Sequence, residues 1–286
     1  MDIVAYAPAK VNMALDIVGR RGVGYHEMCM LNHSTGLQDV LTFSRADEII
    51  LTCSDPAVPV GENNLVYKAA LALKQVGNVK TGAAIHIEKH IPMQAGLAGG
   101  SADCAAALRG LNRLWQLDLP MTTLQTIGGK LGADVPYCLV NGTALVTGFG
   151  DGIKPLPPLP AFPILILKPD VDISTPLGFK MTDEWRNLLH PKVLEAAEKI
   201  SENHWQDALT HLGNSFEMPI FDQWPEILKI KNEMIKTGAF YTTMSGSGST
   251  LVSYYEDQSV AENACRILKE KGYRVFLTRI QENKMQ

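Results

Sequence analysis

The sequence predicts an α+β fold, and three observations predict it. Stretches of alternating polarity and stretches of helical periodicity interleave along the chain without settling into a strict βαβ repeat. A proline-rich passage, PLPPLPAFP at residues 155–163, separates two parts that each carry both kinds of pattern. At 286 residues, 46% of them hydrophobic and 20% charged, the chain has the length and composition for two modest domains with ordinary cores.

Taken in order, IVAYAPAKVNMALDIVG reads as two extended segments around Pro8, and GVGYHEM as a glycine turn carrying an aromatic and a histidine. LTFSRADEIILTCSD reads as further strand and turn. NNLVYKAALALKQVG reads as a helix from about Leu65, with Asn63 or Asn64 as its cap. AAIHIEKHI alternates, with Ile85, Ile87 and Ile91 on one face and His86, Glu88 and His90 on the other, the mark of a half-buried strand that Pro92 stops. Small residues follow, and then Ala105, Leu108, Leu111 and Trp115 recur at helical spacing, which predicts a helix from about Ser101 to Trp115. MTTLQTIGGKLGADVPYCLV predicts a helix broken at its glycines and a turn into apolar sequence. NGTALVTGFGDGIK holds a strand and a glycine turn, and the proline run is expected as a stiff crossing between domains. ILILKP is a buried strand, amphipathic helices are expected near 190–215 and 224–237, and FYTTMSGSGSTLVSYYED reads strand, glycine turn, strand. A helix over 257–272 and the strand YRVFLTRI complete the pattern.

Bulk properties exclude several classes. A net charge of −4, from 26 basic and 30 acidic residues with no basic run, gives no footprint for nucleic acid. No apolar run reaches membrane-spanning length, and MDIVAYAPAK lacks the apolar stretch of a secretory signal. The five cysteines, Cys29, Cys53, Cys104, Cys138 and Cys265, are scattered without metal-type spacing, as expected of reduced thiols in a cytoplasmic protein with no metal-ligand set of its own. Cys104 reads as small core filling.

The chemistry starts from the order strand, glycine loop, helix across residues 83–115. A helix N-terminus offers unpaired N–H groups and a partial positive charge, and glycines let a backbone come close to a ligand. Gly96, Gly99 and Gly100 sit in the turn itself, so the arrangement favours a phosphate site over a merely tight packing of glycines. Neither G-x-x-x-x-G-K-[ST] nor a G-x-G-x-x-G between strand and helix occurs, which excludes the common nucleotide folds.

Three separated stretches, APAKVN (Ala7–Asn12), PMQAGLAGGSAD (Pro92–Asp103) and MSGSGS (Met244–Ser249), together resemble the motifs of the GHMP kinase superfamily in order and spacing. GRRGVGYHEM, NNLVYKAA, LGADVPYCL and ISTPLGFK resemble the branch of that superfamily whose substrate carries a cytidine. The resemblance runs almost end to end. It implies a two-domain GHMP kinase fold, with a ribosomal-protein-S5-like nucleotide and catalytic domain over residues 1–158 and a ferredoxin-like substrate domain over 159–286. It implies an ATP-dependent transfer of phosphate to a tertiary alcohol of a cytidine diphosphate sugar alcohol, in non-mevalonate isoprenoid synthesis. Magnesium would be held mainly by the nucleotide. The expected partners are these small molecules, with no nucleic acid and no membrane, and a monomer or weak homodimer.

The resemblance also assigns roles. A tertiary alcohol needs a base to take its proton, and Asp134 in GADVP matches that position; read alone, it is a loop aspartate capping a turn. Lys10 matches the catalytic lysine, where a cation would stabilise charge on the alcohol and the γ-phosphate. Asn12 matches a contact to the alcohol end of the substrate. Tyr25 and Phe179 match positions that stack on the cytosine ring and His26 the one that hydrogen-bonds its edge. For ATP, Pro92, Met93, Gln94 and Ala95 lead into the loop, and Gly96, Leu97, Ala98, Gly99, Gly100, Ser101 and Ala102 would wrap the phosphates. Asn64, Leu65 and Val66 would lie near the adenine with Lys89 beside them. Ser245, Gly246, Ser247 and Gly248 form the glycine-rich loop lining the site. Asp103, in the first helical turn, is expected to face away from phosphate or toward a metal. Many family members carry two serines where this chain has Ser101 and Ala102. Two other readings stay open: a relative acting on another small alcohol, which gives no reason for Tyr25, His26 and Phe179, and a binding-only protein, which gives none for Lys10 and Asp134.

Overall fold

A computed structural model of the chain describes residues 2–20 and 26–281. The fold is α+β, as the interleaved patterns predict, with two sheets among the described residues. Two compact units share the chain by interleaving: Met1–Lys10, Leu37–Met93 and Ala98–Asn141 form the first, and Val11–Gly36, Gln94–Leu97 and Gly142–Gln286 the second. Strands β1 (Ile3–Arg20) and β2 (His26–Ala46) each contribute to both units. Where two extended segments are expected around Pro8, β1 runs as a single strand. It pairs with β2.

In the first unit, β4 (Gly82–Glu88) runs parallel to β3 (Ile49–Cys53) and antiparallel to the second half of β2, with Ile85 opposite both Leu51 and Phe43. Helices α1 (Leu65–Val76), α2 (Gly99–Leu114), α3 (Met121–Leu131) and α4 (Val135–Val140) pack together, with α2 touching the other three. The alanines make that central position possible. Ala102, Ala105, Ala106 and Ala107 are all buried, and their small side chains let neighbouring backbones approach at no cost in helix propensity. Gly110 continues this: a β-carbon there would come to 2.5 Å from a ring atom of Phe43 on β2.

Helix α3 corrects an expectation. It is not broken at Gly128 and Gly129 but runs through them to Leu131. A β-carbon on Gly128 would meet Val135 at 2.7 Å, so the glycine serves close packing against α4, and the apolar residues after it form that helix rather than a turn. Helix α2 begins two residues before the expected Ser101.

In the second unit, the first half of β2 pairs with β5 (Ala144–Gly148), Met30 opposite Val146, and β5 turns back into β6 (Gly152–Pro155). The proline-rich passage then carries the chain to β7 (Pro163–Lys168), within this unit. Leu156, Leu159 and Phe162 along it are buried, so it packs as part of the core instead of spanning solvent. β7 lies inside an antiparallel sheet of order β10-β7-β9-β8, with β8 (Tyr241–Met244), β9 (Leu251–Tyr254) and β10 (Arg274–Arg279). Helix α5 (Thr175–Glu184), for which the periodicity gave no signal, follows β7; α6 (Val193–Ser201), α7 (Trp205–Ala208), α9 (Pro225–Ile235) and α10 (Gln258–Glu270) fill the expected helical regions, and α8 (Glu217–Gln223) lies between two of them, where none was expected. α10 lays Ala261, Ala264, Cys265 and Leu268 against β7 and β10.

Gly110→Ala sets two effects against each other. A helix-interior Gly to Ala change gains about 0.5–1 kcal/mol, while forcing a methyl into a filled core costs about 1–3 kcal/mol. With the Phe43 ring itself buried, overpacking should win, lowering stability by about 1–2 kcal/mol in urea unfolding.

Candidate active site

Lys10 and Asp134 meet in the first unit. Lys10 stands on β1, and Asp134 precedes α4, with Lys10 Nζ 3.3 Å from Asp134 Oδ1. The lysine side chain is only 5% exposed, whereas the aspartate is 37% exposed. The cation is therefore fixed in the interior while its carboxylate partner stays open to a ligand. Asp134 occupies the N-cap position of α4 yet makes no capping bond; its backbone is helical there, with ψ −14°, and the side chain turns to Lys10. The pair can accept a proton through the carboxylate and stabilise neighbouring negative charge through the ammonium.

The glycine loop carries an unusual backbone. Gln94, Gly96 and Ala98 have φ of 50°, 67° and 54°, alternating with residues that do not. Such alternation turns successive N–H groups toward one side, the concavity that binds anions. Ala98 is the N-cap of α2 and gives no side-chain cap, so the first N–H groups of that helix have no side chain closing them. Ala102 is buried with its N–H bonded to Ala98 O at 2.8 Å; Ser101 is the half-buried hydroxyl at the helix start. A β-carbon on Gly132 would lie 3.6 Å from Ser101 Oγ, so the turn leading to Asp134 runs beside the start of α2. Leu65 lies beside Gly100 and Gly132, whereas Val66 is fully buried, and Asn64 caps α1 by accepting from Val66 N at 2.8 Å. Met93 and Gln94 are exposed, and Pro92, Ala95 and Leu97 are buried.

In the second unit one hydroxyl joins the three motif stretches. Ser245 Oγ accepts from Asn12 N at 3.2 Å and donates to Gly96 O at 3.0 Å. Gly96 must be glycine twice over: φ is positive, and a β-carbon would collide with the Ser245 carbonyl oxygen. The Asn12 side chain donates to Asn32 Oδ1 at 2.7 Å, which orients its amide. Ser247 Oγ donates to Thr175 Oγ1 at 3.3 Å, and Gly178 lies against Ser247, so the loop Ser245–Gly248 rests on α5.

On that same helix, Phe179 stacks on His26, ring centroids 4.2 Å apart and planes 12° from parallel. His26 Nε2 lies 2.8 Å from Asp183 Oδ1, and Arg20 Nη2 lies 2.8 Å from Asp183 Oδ2. Tyr25 lies outside the described residues.

Several residues that the sequence reading passed over hold these parts in place. Asn214 Nδ2 donates to Met244 O at 2.7 Å and Gly246 O at 2.9 Å, and Glu217 accepts from Met244 N at 2.9 Å and from Lys231. Both come from NSFE, where two polar residues around a buried phenylalanine were the available signal. Asp39 is the second case. It is fully buried on β2, accepts from the backbone N–H groups of His90 (2.5 Å) and Ile91 (2.8 Å), and pairs with Lys89. Lys89, which the resemblance sets beside the adenine, has its ammonium closed between Asp39 and Asp103, the latter at 2.9 Å. Asp103 thus faces a cation of the chain itself, at the foot of α2. Burial pushes the Asp103 carboxyl up to about 7; the Lys89 ammonium works against that rise and the Asp39 charge adds to it. Cys104 is buried, and burial pushes its thiol up to about 12, as suits core filling rather than a nucleophile.

The chain is similar in sequence and fold to known proteins. The family described as GHMP kinases N terminal domain matches residues 64–142, and that described as GHMP kinases C terminal matches 186–274. A protein of Enterococcus faecalis named 4-diphosphocytidyl-2-C-methyl-D-erythritol kinase is 40% identical over 98% of this chain and 99% of its own. One of Clostridium botulinum with the same name is 38% identical over 98% and 99%. A crystal structure of 4-(cytidine 5'-diphospho)-2C-methyl-D-erythritol kinase superposes with a TM-score of 0.82 at 30% identity, covering 98% of this chain and all of that one. Homoserine kinase from Cytophaga hutchinsonii, at 18% identity and a TM-score of 0.76, shares the fold.

The Asp103 carboxyl gives a pH signature. Its folded pKa, about 7, lies above the ordinary carboxylate value, so its contribution to stability is fully present below that ordinary value and is lost as pH rises through the folded one. The Lys89 pKa is raised, so its contribution is lost only under alkaline conditions. Asp103→Asn cannot ionise. Urea unfolding between pH 4.5 and 7.5 should show the wild type losing about 1 kcal/mol or more relative to this variant.

Proposed function

The chain belongs to the GHMP kinase family, and on that premise we propose that it phosphorylates 4-diphosphocytidyl-2-C-methyl-D-erythritol on its 2-hydroxyl, with ATP as donor. This is a step of non-mevalonate isoprenoid synthesis. The observation that carries the chemistry is the pair formed by buried Lys10 and open Asp134, at 3.3 Å. Asp134 accepts the proton of the tertiary hydroxyl as its oxygen attacks the γ-phosphorus. The new O–P bond forms while the bond from phosphorus to the β,γ-bridging oxygen breaks, and ADP leaves with that electron pair. Lys10 stabilises the negative charge that develops between the alcohol and the phosphoryl group.

The phosphates are held by the N–H groups of the loop from Gln94 through Ala98 and of the first turn of α2, with Ser101 adding a hydroxyl. Leu65 borders the adenine end, with Asn64 and Val66 setting the start of α1 and Lys89, paired with Asp39 and Asp103, beside them. Among the described residues no cluster of three His, Cys, Asp or Glu side chains converges as a metal cage. Magnesium would come with the nucleotide and neutralise phosphate charge. His26 and Phe179, with Tyr25, receive the cytosine, and Asn12 the alcohol end. The enzyme works in the cytoplasm on small molecules alone, as a monomer or weak homodimer. Its cysteines are unpaired among the described residues, and no helix there is long and apolar enough to cross a membrane.

An ADP-release assay with magnesium and ATP tests the reading, with homoserine and mevalonate beside the cytidyl substrate. Release is expected with the cytidyl substrate alone; release with only another alcohol would sink the cytidine assignment. Asp134→Asn should lose about 10²–10⁴-fold in kcat while ATP binding, followed by calorimetry, is retained. A variant with wild-type turnover would remove Asp134 as the base.

A further inference from the structure

We infer that Asp183 sets the base specificity of the cytidine site by fixing the tautomer of His26; the inference rests on the reading of that site proposed above. Asp183 Oδ2 pairs with the guanidinium of Arg20 at 2.8 Å, and Oδ1 lies 2.8 Å from His26 Nε2. A carboxylate offers only acceptors, so the hydrogen of this bond sits on Nε2. In the neutral ring Nδ1 is then a bare acceptor. That atom is buried and has no hydrogen-bond partner among the described residues. The ring cannot easily turn to exchange its two nitrogens, because it lies flat on Phe179 at 4.2 Å and its side chain is 3% exposed.

A bare acceptor asks for an N–H donor. On a cytosine substituted at N1, the 4-amino group is the sole such donor. Uracil carries a carbonyl oxygen in its place, which would face the Nδ1 lone pair. A site built around one buried polar atom rejects the analogue that leaves it unpaired. Asp183 touches no substrate in this scheme. It is a positioning residue, and Arg20 holds its second oxygen so that the first stays on His26.

Ring-nitrogen NMR on ¹⁵N-histidine protein reads the tautomer directly, with His26 assigned through His26→Asn. The wild type is expected to carry hydrogen on Nε2, and its Nδ1 signal to move when cytidine 5'-diphosphate is added. With a non-hydrolysable ATP analogue filling the donor site, calorimetry should give cytidine 5'-diphosphate at least tenfold tighter binding than uridine 5'-diphosphate. Asp183→Asn keeps the volume, but its amide can either accept from Nε2 or donate to it. The preference should then fall below threefold, with both tautomers visible. Hydrogen on Nδ1 in the wild type, or an unchanged preference in Asp183→Asn, overturns the inference while leaving the kinase reading intact if the cytidyl substrate is still turned over. A wild type that binds neither nucleotide and turns over no cytidyl substrate overturns both.

Discussion

A lysine ammonium taken out of water must be met by negative charge, and the first unit buries two. Each buried ion forgoes several kcal/mol of hydration, so where the carboxylates stand decides what else the unit can do. Lys89 is met twice, by Asp39 and Asp103, and all three side chains are nearly sealed. That cluster is closed and structural: Asp39 also holds the N–H groups of His90 and Ile91, which fixes where β4 ends and the glycine loop begins. Lys10 is met by Asp134, whose side chain is left substantially open. The same electrostatic demand thus gives a strut in one place and a reactive pair in the other. The difference is the exposure of the acid.

In the second unit the glycine-rich stretches are shaped by absent side chains. Gly96 lies against the carbonyl of Ser245, and Ser245 in turn receives Asn12 N and gives to Gly96 O. Asn12, Gly96 and Ser245, one residue from each motif, are therefore bonded together in the second unit, even though most of the chain's length separates the first from the last. Asn214 and Glu217 complete it from α8 and the turn before it, tying down the carbonyl and N–H groups on either side of Met244. A loop of small residues has little packing of its own, so its geometry must be imposed by such bonds.

The sequence made the α+β class, the glycine loop between strand and helix and most strands legible because those depend on local periodicity and backbone freedom. The run ILIL and the spacing of Ala105, Leu108 and Leu111 needed no tertiary information. What it hid was decided by partners distant in the chain. Gly128 reads as a helix breaker until Val135 is found filling the space where its side chain would be. The proline run reads as a stiff crossing between domains, and nothing local in it says that Leu156, Leu159 and Phe162 are buried. Lys89, Asp39 and Asp103 are each unremarkable alone, and only the fold brings a residue of β2, one following β4 and one of α2 into a single cluster. Asp183 gave no signal at all, since its worth depends on His26 and Arg20, more than 150 residues before it in the chain.

Asp134 shows most clearly how a functional residue departs from the local rule that would otherwise explain it. An aspartate before a helix is ordinarily a cap, its oxygen on the second or third N–H, a contact typically worth about 1 kcal/mol. Asn64 does this for α1 from an extended backbone, with φ −86° and ψ 134°. Asp134 has φ −83° and ψ −14°, a helical backbone that carries its side chain away from those N–H groups. The residue that looks like a cap therefore forgoes capping. Two features set that backbone: Gly132 before it, extended at φ −175°, and Pro136 after it, which has no N–H to satisfy. The turn G-A-D-V-P is thus built to aim a carboxylate across at Lys10, and the orphaned helix end is the smaller of the two demands.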